Sequence, residues 1–431
     1  MAKIFPFRAL RYNPERVRLT DVVTQPYDKI TPEMQERYYS ASSYNLVRII
    51  LGKTQAGDNG QNVYTRAAAA FSQWRKDGVL VQDPQPLIYA YAQEFAVPGS
   101  EQRVERRGFI ALGEVQHYGA GDMFRHEQTH AGPKKDRLEL LRATRAHFGQ
   151  IFVLYNDPAG VIDNALVKVA QYPADMEVRD EYDVRHRVWP IPGLMELIRR
   201  TMENSKLVIA DGHHRYETAL NYQRERRAEG GVLPASGEAP YDRVMMTFVN
   251  MYSEGLVILP THRVISGLES FREEQFLDGA RGFFDIEPIA VDSAHATAML
   301  REAGKSGTAL LAVTQGHGYL LRARQAEVNQ ALADLSPHQR GLDVVMLHKL
   351  AIERVLGISE EAIRELRYIT YLRDAGEAMA RVKAGANVAF LMNPVRVEQV
   401  RDAAFAGEVL PQKSTDFYPK MLSGLTIYAL E

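Results

Sequence analysis

The sequence contains no cysteine. That absence excludes disulfides, thiolate metal sites and cysteine nucleophiles, and it fits a reducing compartment. No segment approaches the roughly 18 consecutive apolar residues of a membrane span. The N-terminal stretch MAKIFPFRALRYNPERVRL alternates apolar and charged residues and lacks the apolar core of a secretory signal. A cytoplasmic protein that does not engage a membrane is expected. An excess of charge is also missing: 52 Lys and Arg face 54 Asp and Glu, for a net charge of −2. Bulk attraction to nucleic acid is therefore disfavoured, although a locally basic cleft stays open.

With 45% hydrophobic and 25% charged residues, the chain has ordinary globular composition and ample material for a core. Its 431 residues suggest two or three domains at about 150 residues each. No repeat or low-complexity tract interrupts it. Thr31 followed by Pro32 reads as a helix start. The apolar run at 44–51 reads as a buried strand. Residues 62–78 read as a helix closed by Gly78, and 86–97 with 106–115 as a hairpin with a polar loop. A basic helix at 135–147, a strand at 151–155 and a helix beginning at Gly193 follow. The stretch 228–242 has loop composition, and an apolar strand starts at Arg243. A boundary is expected near residue 260. It separates a region 1–260 from a C-terminal α+β region 261–431, whose segment 411–425 can return to the site of the first. The mix is α+β without regular strand–helix alternation.

The most informative line is LVIADGHHRYETALNY (207–222). An apolar strand ends at Asp211-Gly212, and Tyr216 to Arg226 can be helical. The polar cluster then sits at a helix N-terminus, where unpaired amides and the positive end of the helix dipole favour an anion. Gly212 permits close approach, Arg215 can bind phosphate oxygens bidentately, and His213 or His214 can donate further bonds. The alternative is a plain capped helix, with Asp211 as N-cap and two surface histidines.

Two further strings are polar. RHEQTHAGPKKDR (125–137) collects Arg125, His126, Lys134, Lys135 and Arg137 around Glu127 and Asp136. It offers a second anion contact or a solvated basic loop. PQKSTDFYPK (411–420) holds Lys413, Ser414 and Thr415 in a turn flanked by prolines. It offers phosphate contacts or a rigid turn with local hydroxyl–backbone bonds. A kinase needs a carboxylate to accept or orient the attacking hydroxyl's proton; Asp28, Glu94 and Glu127 are candidates. Asn45 and Arg48 could bind an amino acid's carboxylate or simply pack at the core edge.

Two patterns mislead. His126-Glu127-Gln128-Thr129-His130 has the zinc-protease spacing, but that chemistry needs one helix face. Ala131-Gly132-Pro133 follows at once, and apolar flanks are missing. Gly304-Lys305-Ser306 resembles a P-loop ending, but Met299 stands where that motif needs glycine and a strand follows. Neither a Rossmann fingerprint nor a nucleophile elbow occurs.

Strand, Asp-Gly, His-His-Arg and an alanine-bearing helix resemble the phosphate-binding signature of the ParB/sulfiredoxin fold, which includes partitioning CTPases, sulfiredoxin and free L-serine kinases. The resemblance implies a ParB/sulfiredoxin-like mixed-sheet core with large insertions. It implies that Gly212, His213 and Arg215 hold donor phosphate. Sulfiredoxin chemistry is out, because the resemblance sets His213 at the place of its cysteine and the sequence holds no cysteine. FPFRALRYNP (5–14), PYDKI (26–30), SYNLVRI (43–49), residues 125–144, ADGHHRYETAL (210–220) and PQKSTDFYPKMLSGL (411–425) resemble an uncharacterised bacterial family, the domain of unknown function numbered one thousand fifteen.

The expectation is a phosphotransferase moving phosphate from ATP, ADP or pyrophosphate to a small hydroxyl metabolite, with L-serine giving O-phosphoserine as the first choice. Asp28, Asp211 and His214 are the candidate catalytic groups. Gly212, His213, Arg215, Arg125, His126, Lys134, Lys135, Lys413, Ser414 and Thr415 are candidates for the donor, and Asn45, Arg48 and Glu127 for the acceptor. Mg²⁺ is expected with the donor. The alternatives are a non-catalytic nucleotide-binding switch or sensor, and a ParB-like nucleotide clamp. The oligomeric state is open.

Overall fold

The computed structural model describes residues 2–58, 62–119, 121–127, 131–230 and 238–431. The chain divides into two compact units. Residues 1–125, 129–257 and 419–431 form the first, and residues 126–128 and 258–418 form the second. The division inside PQKSTDFYPKMLSGL falls between Tyr418 and Pro419.

The first unit is built on a nine-stranded mixed sheet. Its strands are β1 (Ile4–Phe5), β2 (Tyr89–Ala96), β3 (Arg103–Glu114), β4 (Met123–Phe124), β5 (Ile151–Tyr155), β6 (Met176–Arg179), β7 (Arg185–Pro190), β8 (Leu207–Asp211) and β9 (Arg243–Asn250). The order is β4-β8-β5-β9-β3-β2-β7-β6, with β1 paired to β3. The β4–β8 and β5–β9 pairs are parallel; the others are antiparallel.

Period-two alternation gives this sheet two different faces. Ala90, Ala92, Phe109, Ala111, Ile151, Val153, Ile209, Met246 and Phe248 point to one of them. That face packs on α4 (Val161–Val169), α5 (Met195–Met202) and α6 (His213–Ala228) through Ile162, Leu166, Ile198, Met202, Tyr216, Ala219 and Leu220. The other face carries His186, Gln93, Arg106, Thr247 and Phe152, paired across neighbouring strands. It is a buried row with polar groups where an apolar sheet would have more core.

Local sequence explains the flanking helices. Thr31 Oγ1 accepts the Met34 amide and Pro32 occupies the first turn of α1 (Pro32–Ala41). Asn62 and Thr65 form a capping box on α2 (Val63–Lys76). Helix α3 (Ala131–Thr144) is joined to α6 by the Arg142–Glu225 ion pair at 2.5 Å. The second unit holds a six-stranded sheet in which every pair is antiparallel. No helix among the described residues is long and apolar enough to cross a membrane.

Two expectations are corrected. The run 44–51 is not a strand: a short helix covers Val47–Ile50. Asn45 Oδ1 accepts the Val47 amide at 2.9 Å and the Leu46 amide goes to Val22, so the side chain before the run turns the backbone. A short buried apolar run has no periodicity to reveal this. The basic helix spans Ala131–Thr144, not 135–147. A proline fits a first turn, whose amides lack helical partners anyway. At the other end Arg145 takes a left-handed φ of 49° and Ala146–His147 pair with Tyr428–Ala429. In the expected loop 228–242, residues 231–237 lie outside the described residues.

Phe109 and Phe248 stack at 4.9 Å, both fully buried. Phe109→Ala is expected to cost about 3–5 kcal/mol, as a cavity in a packed core does. Tyr172→Ser, at a side chain 71% exposed, should cost less than about 0.5 kcal/mol. Urea denaturation with a common m-value would measure both.

Candidate functional site

The ADGHH segment departs from a regular strand at a defined place. Val208 pairs with Leu154 and Ile209 with Val153, but Asp211, not Ala210, lies opposite Phe152. This extra residue is a β-bulge. Simple alternation would put Asp211 beside Ile209 on the apolar face. The bulge sets it opposite Phe152, on the polar face. The alternative reading, in which Asp211 caps the helix, does not hold: the N-cap is Gly212, with φ 94° and no side-chain cap. A Cβ at Gly212 would sit 3.0–3.2 Å from the Arg215 guanidinium. Glycine is needed there both for the left-handed backbone and for the space.

The Asp211 carboxylate is held from two sides. Arg215 Nη2 donates to Oδ2 at 2.7 Å, and Lys420 Nζ donates to Oδ1 at 2.8 Å. Arg215 also donates through Nη1 to the Gln150 carbonyl. Burial alone would raise the Asp211 carboxyl; the charges of Lys420, Arg215 and Lys29 outweigh it and hold the group well below the usual carboxylate range. Arg106 feels the Asp211 charge as well. Four cationic side chains therefore act on one carboxylate at the start of a 16-residue helix.

The polar face continues away from Asp211. Arg106 lies over the Phe152 ring at 4.7 Å and donates to the Gln93 side chain and the Pro419 carbonyl. Burial pulls its guanidinium down to about 10, so it remains charged at neutral pH. Gln93 Nε2 donates to the Lys420 carbonyl at 2.9 Å. Farther along, Tyr91 Oη meets His186 Nδ1 at 2.7 Å, and His186 Nε2 meets Asp180 at 3.2 Å. Burial lowers the His186 imidazole below its ordinary value, against the Asp180 bond. The segment after Pro419 thus lies along this face. Two backbone bonds between Thr24 and Ser423, at 3.2 and 2.9 Å, tie it to the PYDKI region. A cavity beside Arg215 is lined by Tyr27, Arg137, His147, Thr218 and Ser423.

The residues singled out in the sequence fall into separate groups. Asp211, Gly212, His213, His214 and Arg215 form the turn, with His213 buried and His214 half-buried. Asp28 is exposed in the 3-10 turn Tyr27–Lys29, whose Lys29 acts on Asp211 and whose Tyr27 feels Arg215. Arg125 and Lys134 both pair with Glu217, one turn into α6; Lys135 is exposed. Asn45 donates to the Asp21 carbonyl, and Arg48 to the Ser42 and Tyr39 carbonyls while stacking on Tyr39.

His126, Glu127, Lys413, Ser414 and Thr415 gather in the second unit. His126 Nε2 meets Thr415 Oγ1 at 2.8 Å, Glu127 accepts the Lys413 amide at 3.1 Å, and Ser414 donates to the Pro411 carbonyl. His126 and Glu127 are not helical, and Glu127 bridges to Leu410. The rest of that zinc-like pattern, residues 128–130, lies outside the described residues. Among the described residues no three His, Asp or Glu side chains cluster as a metal site.

Sequence reasoning missed Lys420, Lys29, Arg106 and Gln93. Both lysines stood inside strings already quoted. Arg106 and Gln93 were visible as polar residues at inward-facing positions of apolar strands.

The chain matches a family profile over residues 4–345. It belongs to DUF1015, a family of proteins of unknown function. Among solved structures it is similar to a conserved hypothetical protein from Pyrococcus furiosus, at 14% identity and a TM-score of 0.34, over 71% of this chain and 91% of that one. It is also similar to a free serine kinase mutant in complex with ADP, at 14% identity and a TM-score of 0.35, over 70% and 89%. A third is C-terminally truncated SbnI from Staphylococcus aureus, at 11% identity and a TM-score of 0.37, over 73% and 87%. No curated protein matches the chain significantly.

Asp211 is charged in the fold and paired twice, so Asp211→Asn should destabilise by about 3–5 kcal/mol at neutral pH, as breaking a buried pair does. Its folded pKa lies below the unfolded value of about 3.9, so this stabilisation is present above that value and lost as pH falls toward the folded pKa. Urea melts of both proteins at pH 7, 5 and 3 should show a gap that is constant between the first two and narrower at the third.

Proposed function

We propose that this chain is a phosphotransferase, moving phosphate from a nucleotide or pyrophosphate to a small hydroxyl metabolite, with L-serine giving O-phosphoserine as the reaction to test first. The observation that carries the reading is the clamp on Asp211. A bulged strand end, an uncapped helix N-terminus, Arg215 and Lys420 converge on one point. Phosphoryl transfer asks the protein mainly for positioning and for positive charge around the phosphate. The resemblance of Asp-Gly-His-His-Arg to the ParB/sulfiredoxin signature supports the same reading, and that fold is proposed for the first unit.

In this mechanism donor phosphate oxygens replace the Asp211 carboxylate on Arg215 and Lys420, at the N-terminal end of the α6 dipole. Displacement turns Asp211 into an unpaired acid at the donor. Magnesium, if required, would be held by Asp211 together with the phosphates, a common arrangement for an ion that keeps few protein ligands. It would neutralise charge on the donor. Asp28, exposed beside Lys29, would accept the proton of the attacking hydroxyl.

Phosphorus NMR with ATP, ADP or pyrophosphate, Mg²⁺ and a panel headed by L-serine tests this directly. A phosphomonoester should appear with wild type and fall by at least about 100-fold with Arg215→Ala or Lys420→Met, the scale of losing an oriented charge stabiliser. Donor binding without product from any acceptor would point to a nucleotide-responsive sensor. Absence of donor binding would remove the reading altogether.

A further inference from the structure

The cavity beside Arg215 is not used by the reading above. It is small, about 60 Å³. At roughly 10–15 Å³ for each water-sized group, it takes about four to six heavy atoms. Ile50, Leu140, Leu141, Phe148 and Val244 supply apolar wall. Gly149 supplies a gap in that wall. A Cβ placed on it would stand 3.2 Å from Arg215 Nη1 and 3.3 Å from Ser423 Oγ. The absent side chain leaves a space that borders both polar atoms.

The charge on this wall is of one sign. Two guanidinium groups line the cavity, and among the described residues no Asp or Glu does. Arg215 gives two N–H groups to Asp211 and the Gln150 carbonyl. Arg137 gives Nε to Asp136 at 2.8 Å and Nη1 to the Ile50 carbonyl at 2.7 Å, and it stacks on Tyr27 at 4.1 Å. A guanidinium has five N–H groups, so both keep donors to spare. Burial pushes the His147 imidazole down to about 4, so it is neutral at pH 7. The Tyr27 hydroxyl, the His147 ring nitrogens and Ser423 Oγ make no hydrogen bond among the described residues, and none of these atoms is sealed off from the cavity they line. Hydroxyl or carboxylate oxygens can be met by such a set. An ammonium would leave water to meet two like charges and no carboxylate.

We propose that this cavity is the acceptor pocket, and that it selects short hydroxyl compounds without an ammonium group, hydroxy acids or neutral polyols, over amino acids. The inference rests on the phosphotransferase reading, because Arg215 borders both the cavity and the point proposed for the donor phosphate. The acceptor oxygen bonds to the transferred phosphorus, the phosphorus–oxygen bond to the leaving nucleotide or phosphate breaks, and the hydroxyl proton passes to the base of that reading. L-serine then serves as the reference acceptor, since glycerate is the same skeleton with a hydroxyl in place of the ammonium.

Two measurements on the full chain test this with L-serine, DL-glycerate and glycerol. Saturation-transfer NMR reads binding of each compound without donor, and phosphorus NMR with Mg²⁺ and donor reads turnover. Glycerate or glycerol should exceed L-serine by at least about tenfold in affinity and in kcat/KM. The better of the two tells a hydroxy acid from a neutral polyol. His147→Glu, which sets a carboxylate on the wall, should move the ratio toward L-serine by at least about tenfold. Ser423→Ala should raise the acceptor KM by about three- to tenfold, the scale of one hydrogen bond, with donor affinity unchanged. Equal or better use of L-serine by wild type would overturn the proposal and leave the phosphotransferase reading intact. So would a ratio unmoved by His147→Glu, or an acceptor KM unmoved by Ser423→Ala. Failure of all three compounds to bind would overturn it without any turnover. No phosphomonoester from any donor and acceptor pair would remove the phosphotransferase reading, and the acceptor role with it.

Discussion

A carboxylate in a largely buried position is tolerable only if its charge is met, and in this protein that condition organises much of the first unit. Asp211 ends a strand whose preceding residues are core. The bulge at Ala210 and Asp211 turns it off the apolar face. Gly212 gives the chain the left-handed step into α6 and leaves room for the guanidinium that returns from Arg215. The second cation comes from Lys420, 209 residues along the chain. The strand, the helix and the C-terminal segment therefore depend on one another: without Lys420 the carboxylate loses one of its two hydrogen-bonded cations, and without Asp211 those two cations face each other. In the proposed mechanism an incoming phosphate would take over both partners.

The local pieces of this arrangement were legible in the sequence. Strand, Asp-Gly turn and helix at 207–228 follow from an apolar run, a turn dipeptide and buried positions at helical spacing, and the structure has them at Leu207–Asp211 and His213–Ala228. The 89–96 and 103–114 hairpin and the Thr31–Pro32 helix start were legible for equally local reasons. The run 44–51 was not, since Asn45 redirects it through a side-chain bond that apolarity does not encode.

The clamp itself was hidden. Which lysine of a polar string reaches Asp211 depends on where the chain crosses the sheet. Lys413 and Lys420 are seven residues apart and equivalent by composition. Lys420 reaches Asp211, whereas the Lys413 backbone takes a φ of 57° and bonds Glu127 and Arg263. A bulge is similarly invisible, because one extra residue in a ladder leaves no mark on period-two alternation this short.

Each unit also buries an arginine, and the two are handled alike. Arg106 donates to the Pro419 carbonyl in the first unit; Arg263 donates to the Lys413 carbonyl in the second. Burial lowers both guanidinium groups to about 10, so both stay charged at neutral pH. Neutral acceptors meet both: backbone carbonyls, with the Gln93 side-chain amide for Arg106 and the Thr261 carbonyl for Arg263. Carbonyl dipoles solvate a guanidinium without cancelling its charge. Around Asp211, Arg106 adds to the field of Arg215, Lys420 and Lys29. The segment 413–419 thus holds both buried arginines through its backbone, at Lys413 and at Pro419, whatever side chains those positions carry.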